Sequence, residues 1–153
     1  MKPVVLNIED RETDSTQLLW ALEDLGKAED EDFEFLLAAD SDAALAVLAE
    51  RKPTNVLLDI NLQGSPISNG LDLVPDLLAA VPDLQIVILT TSVKKDDVDR
   101  AQELGIQAYM TKSVGPDFAE SLNTWWMVFV ENKYCPPDLA KQHFVFIDPK
   151  FVG

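Results

Sequence analysis

Apolar residues gather in short continuous runs, and four of these end on a polar residue equipped for chemistry. Val4, Val5, Leu6, Asn7 and Ile8 lead to Glu9 and Asp10; Val56, Leu57 and Leu58 lead to Asp59; Ile86, Val87, Ile88 and Leu89 lead to Thr90; Ala108, Tyr109, Met110 and Thr111 lead to Lys112. Unbroken Val/Ile/Leu runs of this length mark parallel strands buried on both faces, and ligands of open α/β sheets bind just beyond the carboxyl ends of such strands. Three acids, a hydroxyl and an ammonium are therefore expected to converge on one crevice.

Between the runs the apolar spacing changes to that of helices. Leu18, Leu19, Leu22 and Leu25 predict a helix near residues 13–25 closed by Gly26, and an acidic loop then leads into a second strand over residues 33–37. Asp40 or Ser41 can cap a helix that stops at Lys52, because Pro53 disfavours helical geometry in the residue before it. Residues 61–70 carry Gly64, Pro66, Asn69 and Gly70, a turn-rich and mobile functional loop directly after Asp59. A helix over 71–80, a strand over 84–89, a helix over 96–104 closed by Gly105, a strand over 106–110 and a helix from Pro116 complete the pattern. Fivefold βα alternation with right-handed crossovers predicts an α/β fold, a doubly wound five-stranded parallel sheet with helices on both faces, and the order 2-1-3-4-5, one of the two common doubly wound arrangements, is the one expected.

Composition narrows the classes of function. The 153 residues suit one domain with its own core, and no apolar run approaches the roughly 20 residues a membrane span needs. The N-terminus passes from Met1, Lys2 and Pro3 straight into a strand-like run, so a cytoplasmic protein is expected. Twelve basic against 27 acidic side chains give a net charge of −15, which opposes direct DNA binding and attraction to anionic lipid. The single cysteine, Cys135, excludes an internal disulfide framework and a thiolate cluster for zinc, and packing rather than redox sensing is its expected role.

The chemistry of the convergent residues is that of cation and phosphoryl binding. Mg²⁺ takes one or two carboxylates plus phosphate oxygens and water, which Asp10 and Asp59, with Glu9 partly through water, can provide. Three carboxylates this close repel, so without a cation at least one is expected to be partly protonated or held at a cost in stability, and cation binding is expected to stabilise the fold. Asp59, at the end of the middle strand, is the best placed nucleophile to form an acyl phosphate. Lys112 supplies a point charge and Thr90 a hydrogen bond for the phosphoryl oxygens.

These residues resemble the receiver domains of two-component response regulators. Glu9-Asp10, Leu57-Leu58-Asp59-Ile60-Asn61, Ile88-Leu89-Thr90-Thr91-Ser92 and Tyr109-Met110-Thr111-Lys112 match in order, across about residues 3–130. The resemblance implies a flavodoxin-like receiver fold in which Asp59 takes a phosphoryl group from a phosphohistidine on a sensor histidine kinase or a phosphotransfer protein. It further implies Mg²⁺ held by Glu9, Asp10, Asp59 and the main-chain carbonyl of Asn61, and a switch pair of Thr90 and Tyr109. In that family the threonine moves and the aromatic ring turns inward, altering the surface of the fourth helix and fifth strand that a downstream partner reads. The domain would catalyse its own phosphoryl transfer and slow dephosphorylation.

Two departures stand out. Ser113 follows Lys112 where the family usually has a proline across a cis bond, and the loop after Asp59 is about three residues longer than in minimal chemotaxis-type receivers. Residues 1–131 read as the receiver and 132–153 as a C-terminal extension without an output domain. Trp125-Trp126 with Pro136-Pro137 downstream resembles the tails of stand-alone regulators associated with phytochromes. The tail aromatics either pack on their own domain or form a self-association surface, a homodimer being the partner expectation for the second. His143, the one histidine, reads as a packing or surface residue. Two other classes compete: a non-phosphorylated receiver-shaped interaction module, suggested by Ser113, and a haloacid-dehalogenase-like phosphatase, disfavoured because Asn61 stands where a second acid is required.

Overall fold

The computed structural model of the protein describes residues 2–63, 67–112 and 116–153. In chain order the elements are β1 (Val4–Ile8), α1 (Glu12–Ala28), β2 (Glu34–Ala38), α2 (Ser41–Arg51), β3 (Asn55–Leu58), α3 (Val74–Ala80), β4 (Gln85–Thr90), α4 (Lys95–Glu103), β5 (Ala108–Thr111), α5 (Pro116–Trp125), α6 (Pro137–His143) and β6 (Phe146–Ile147). The first five strands are parallel, as the alternation predicts, and they take the expected order β2-β1-β3-β4-β5.

Successive strand residues point to opposite faces, so each buried run feeds two cores at once. Leu6, Ile8, Val56, Leu58, Ile86 and Ile88 pack on one side with Ala44 and Leu48 of α2 and Leu77 of α3. Val5, Leu57, Val87 and Leu89 pack on the other with Leu18 and Leu22 of α1 and Leu122 and Trp125 of α5. Each fully buried leucine or isoleucine contributes about 1.5–3 kcal/mol relative to exposure, which is why the register holds. A slip by one residue would exchange the two faces.

Several boundaries differ from the expectations. Helix α1 runs through Gly26 to Ala28, and the Gly26 carbonyl accepts from Glu31 N at 2.8 Å. Asp40 is the cap of α2, its side chain accepting from Ala43 N, and Lys52 follows the helix in the left-handed region at φ 46°. Helix α3 is shorter than predicted because Gly70–Leu73 forms a 3₁₀ turn first. Gly105 ends α4 at φ +80°, a conformation that costs a residue with a Cβ extra energy. Within the loop after β3, Leu62 N donates to Ser68 O at 2.9 Å and Gly70 N to Ile60 O, so its described residues are tied to each other. Residues 64–66, and Ser113 with its bond to Lys112, lie outside the described residues.

The tail is the largest addition. α5 continues as a π-helical stretch, Trp126–Val130, and the chain returns through α6 to lay β6 antiparallel on β5, pairing Phe146 with Tyr109 and Ile147 with Ala108. Trp125, Trp126, Phe129, Cys135 and Phe144 are buried in the same core as α1 and the sheet. The tail aromatics thus pack on their own domain, leaving Tyr134 and Val145 as its exposed large apolar residues. His143 takes part in this packing through a 3.0 Å hydrogen bond between its Nδ1 and Ser121 Oγ.

Candidate functional site

The register of the central strands sets the site. Ile8 of β1 pairs with Leu58 of β3, so the next residue on each chain, Glu9 and Asp59, emerges side by side where the strand order reverses. Thr90 of β4 pairs with Thr111 of β5, and Lys112 N donates to Thr90 O at 2.8 Å, which turns the lysine back over the same end of the sheet.

Lys112 Nζ donates to Asp59 Oδ2 at 3.0 Å, to Asp14 Oδ2 at 2.8 Å and to Glu9 Oε1. Carboxylate oxygens of Glu9, Asp10 and Asp59 lie within 4.8 Å of one another. Glu9 and Asp59 are buried, at 3% and 5% exposure, while Asp10 is half-buried. The Asp59 carboxylate is also oriented from behind: Asn61 N donates to its Oδ1 at 3.3 Å. A cavity of about 450 Å³ opens over this cluster, lined by Asp10, Arg11, Asp14, Asp59, Asn61, Gln63, Thr91 and Lys112. A larger groove between the end of α1 and the start of β2 shares none of these residues.

Electrostatics follow from burial and from the shared ammonium. Burial pushes Glu9 up to about 7, with the Asp59 charge adding to it and the Lys112 hydrogen bond opposing. Burial works to lower Lys112, but hydrogen bonds to Asp14, Glu9 and Asp59 outweigh it and hold the ammonium above its ordinary range. The same hydrogen bond from Lys112 holds Asp14 below the usual aspartate range. The cluster is acid-rich and under-neutralised, and its donors are hard oxygens at a spacing that a small divalent cation can bridge.

Thr90 is fully buried, and its Oγ1 accepts from Ser92 N at 3.4 Å. Its exposed neighbour Thr91 is the threonine that lines the cavity. Tyr109 is fully buried with its ring inward; its hydroxyl donates to Ser92 O at 2.8 Å, and burial pushes its pKa up to about 12. The ring meets Phe146 of β6 at 5.8 Å between centroids.

One acid escaped the reading of the sequence. Asp14 stands in the first turn of α1, four residues after Asp10, and reaches Lys112 across 98 residues of chain. The available signal was helical: a helix starting just after Glu9-Asp10 turns residue 14 toward the end of the sheet.

A glycine secures the other wall. A Cβ at Gly70 would lie 2.1 Å from Asp59 O, so the returning loop can pass the acidic strand end only with hydrogen at that position.

The chain is similar to known proteins in both sequence and fold. The sequence model of the response regulator receiver domain matches residues 5–120. Response regulator Rcp1 of Synechocystis sp. is 32% identical over 120 residues, covering 72% of this chain and 76% of Rcp1. GacA of Pseudomonas aeruginosa is 31% identical over 98 residues, which cover 64% of this chain and 44% of GacA. Among solved structures, the Mn²⁺-bound form of response regulator Rcp1 superposes with a TM-score of 0.69 at 30% identity, covering 88% of this chain and 99% of that one. The phosphorylated cyanobacterial phytochrome response regulator RcpA shares the fold at a TM-score of 0.73 and 20% identity, covering 86% of this chain and 96% of its own.

Proposed function

This chain belongs to the response regulator receiver domain family, and from that premise we propose that Asp59 is its phosphoacceptor, served by Lys112, Thr90 and a Mg²⁺ ion. It is a signalling domain of two-component systems rather than a metabolic enzyme. The observation that carries the assignment of Asp59 is the contact of its carboxylate with Lys112 Nζ at 3.0 Å inside a cluster of acids able to hold a cation.

In the proposed transfer a carboxylate oxygen of Asp59 attacks the phosphorus of a phosphohistidine on a sensor histidine kinase or phosphotransfer protein. The P–N bond breaks, its electron pair leaves with the imidazole, and an acyl phosphate remains. Lys112 neutralises charge on the phosphoryl oxygens, and Thr90, moving from its buried resting position, donates a hydrogen bond to one of them, the positioning and electrostatics that phosphoryl transfer needs. Mg²⁺, held by Glu9, Asp10, Asp59 and the carbonyl of Asn61, supplies further charge neutralisation when bound. The hard-oxygen donor set fits it, and Rcp1, 30% identical, has been solved in a Mn²⁺-bound form.

Thr90 and Tyr109 form the switch pair of this reading, with the output read at the surface of α4 and β5 by a downstream protein. A new charged group biases a two-state element, as in other phosphorylation switches. Residues 1–131 are taken as the receiver unit and 132–153 as an extension that adds β6 to its edge. A cytoplasmic location is part of the proposal and rests on the family; none of the described helices is long and apolar enough to cross a membrane. The net charge of −15 argues against direct DNA contact. Self-association through the tail is left with Tyr134 and Val145 as exposed apolar residues.

The test is incubation with Mg²⁺ and acetyl phosphate followed by intact mass measurement. One added phosphoryl group, absent in Asp59→Asn, is expected. No adduct in the wild type leaves only a receiver-shaped interaction module, and many turnovers per chain would point instead to a phosphatase.

A further inference from the structure

A lysine ammonium has three N–H donors and no more. Here Glu9, Asp14 and Asp59 take all three. A phosphoryl oxygen that needs Lys112 must therefore displace one carboxylate. Glu9 is assigned to the cation and Asp59 is the acceptor itself, which leaves Asp14 as the partner that transfer can dispense with. Asp14 also lines the cavity through which an anionic donor must reach Asp59, together with Asp10.

Resting on the assignment of Asp59 and Lys112 above, we infer that Asp14 is a positioning residue that holds Lys112 at rest and competes with the phosphoryl group for it. Its carboxylate keeps the ammonium at the mouth of the site while no phosphate is present, and its charge opposes entry of a dianionic donor. Because it sits in the first turn of α1, the contact also ties that helix to the end of β5. Partial exposure of both side chains, 16% for Lys112 and 26% for Asp14, lets the contact open without unfolding.

The inference makes two binding constants move in opposite directions. Asp14→Asn is isosteric and is expected to lower KM for acetyl phosphate about threefold to tenfold, one partly screened charge being removed near the donor, with little change in the rate at saturating donor. In the same variant Mg²⁺ affinity, read by calorimetry without phosphodonor, is expected to fall, because one negative charge has left the site. A structural defect would weaken both. Asp14→Glu, which keeps the charge, is expected to restore wild-type values, and Glu12→Gln, exposed in the same helical turn, to leave them unchanged. An unchanged or raised KM in Asp14→Asn, or the same shift in Glu12→Gln, overturns the proposal.

Stability reads the pairing independently of phosphoryl chemistry. In a cycle of Asp14→Asn, Lys112→Met and both together, the double variant should melt no lower than Lys112→Met alone; additive losses overturn the pairing. A wild type that takes no phosphoryl group while the cycle still shows coupling would sink the acceptor assignment and leave the contact standing.

Discussion

Glu9→Gln offers the sharpest test of the electrostatic picture. In the ion-free protein Glu9 is buried and its pKa stands at about 7 against 4.5 for an ordinary glutamate. Its folded value lies above its unfolded one, so the stability it contributes is complete below pH 4.5 and is lost as the pH rises through 7. At ~1.36 kcal/mol per pH unit, the rise from 4.5 to about 7 amounts to about 3 kcal/mol, lost between pH 4.5 and pH 8. A chain of this size changes its Tm by about 2–4 °C per kcal/mol, hence by about 6–12 °C here.

Glutamine has the same shape and does not titrate. Thermal melts in EDTA at pH 5, 6, 7 and 8 should therefore show wild type falling steadily relative to Glu9→Gln. Asp14, whose pKa is lowered, contributes its change on the acid side of this window, and Lys112, whose pKa is raised, on the alkaline side. Mg²⁺ at about a hundred times its dissociation constant should add about 2.7 kcal/mol to wild type at pH 8, and less to the variant. Parallel wild-type and Glu9→Gln curves from pH 5 to 8 would refute the reasoning.

Other perturbations probe the walls of the site and the tail. Gly70→Ala places a Cβ 2.1 Å from Asp59 O, so the loop must shift; a stability loss of about 2–4 kcal/mol with weakened Mg²⁺ binding is expected in urea melts and calorimetry. Phe146→Ala removes the ring that meets Tyr109 and should cost about 1–2 kcal/mol. Hydrogen exchange should then quicken at Val145 N and Asp148 N, which bond Tyr109 O and Gln107 O; unchanged protection would show that β6 stands without the ring contact. Trp126→Ala should cost about 3–5 kcal/mol, but Trp126→Phe under about 2, because the buried indole N–H has no hydrogen-bond partner among the described residues; equal losses by denaturant unfolding would contradict this.

Most of the sheet and the acid cluster could be read from the chain because their signals are local. An unbroken apolar run such as residues 86–89, short and rich in β-branched residues, reads as a doubly buried strand, and the residue after it then emerges at the sheet's end. Element ends were less legible. Gly26 looks like a helix stop, yet α1 continues two residues further because Glu31 N closes on the Gly26 carbonyl, a contact made by residues beyond the helix. Helical phase alone turns Asp14 toward the end of the sheet, but its pairing with Lys112, 98 residues away, is not encoded near either residue.

The sequence by itself determined the alternation of strands and helices, the family and which polar residues stand at the β1, β3, β4 and β5 ends, since period and strand termini are encoded within a few neighbouring residues. Tertiary structure alone decided how one ammonium is divided among Glu9, Asp14 and Asp59, which threonine faces the cavity, and that the tail lays β6 against Tyr109 and buries its aromatics. Those outcomes depend on distances between segments far apart in the chain, which are set only when both cores close around the sheet.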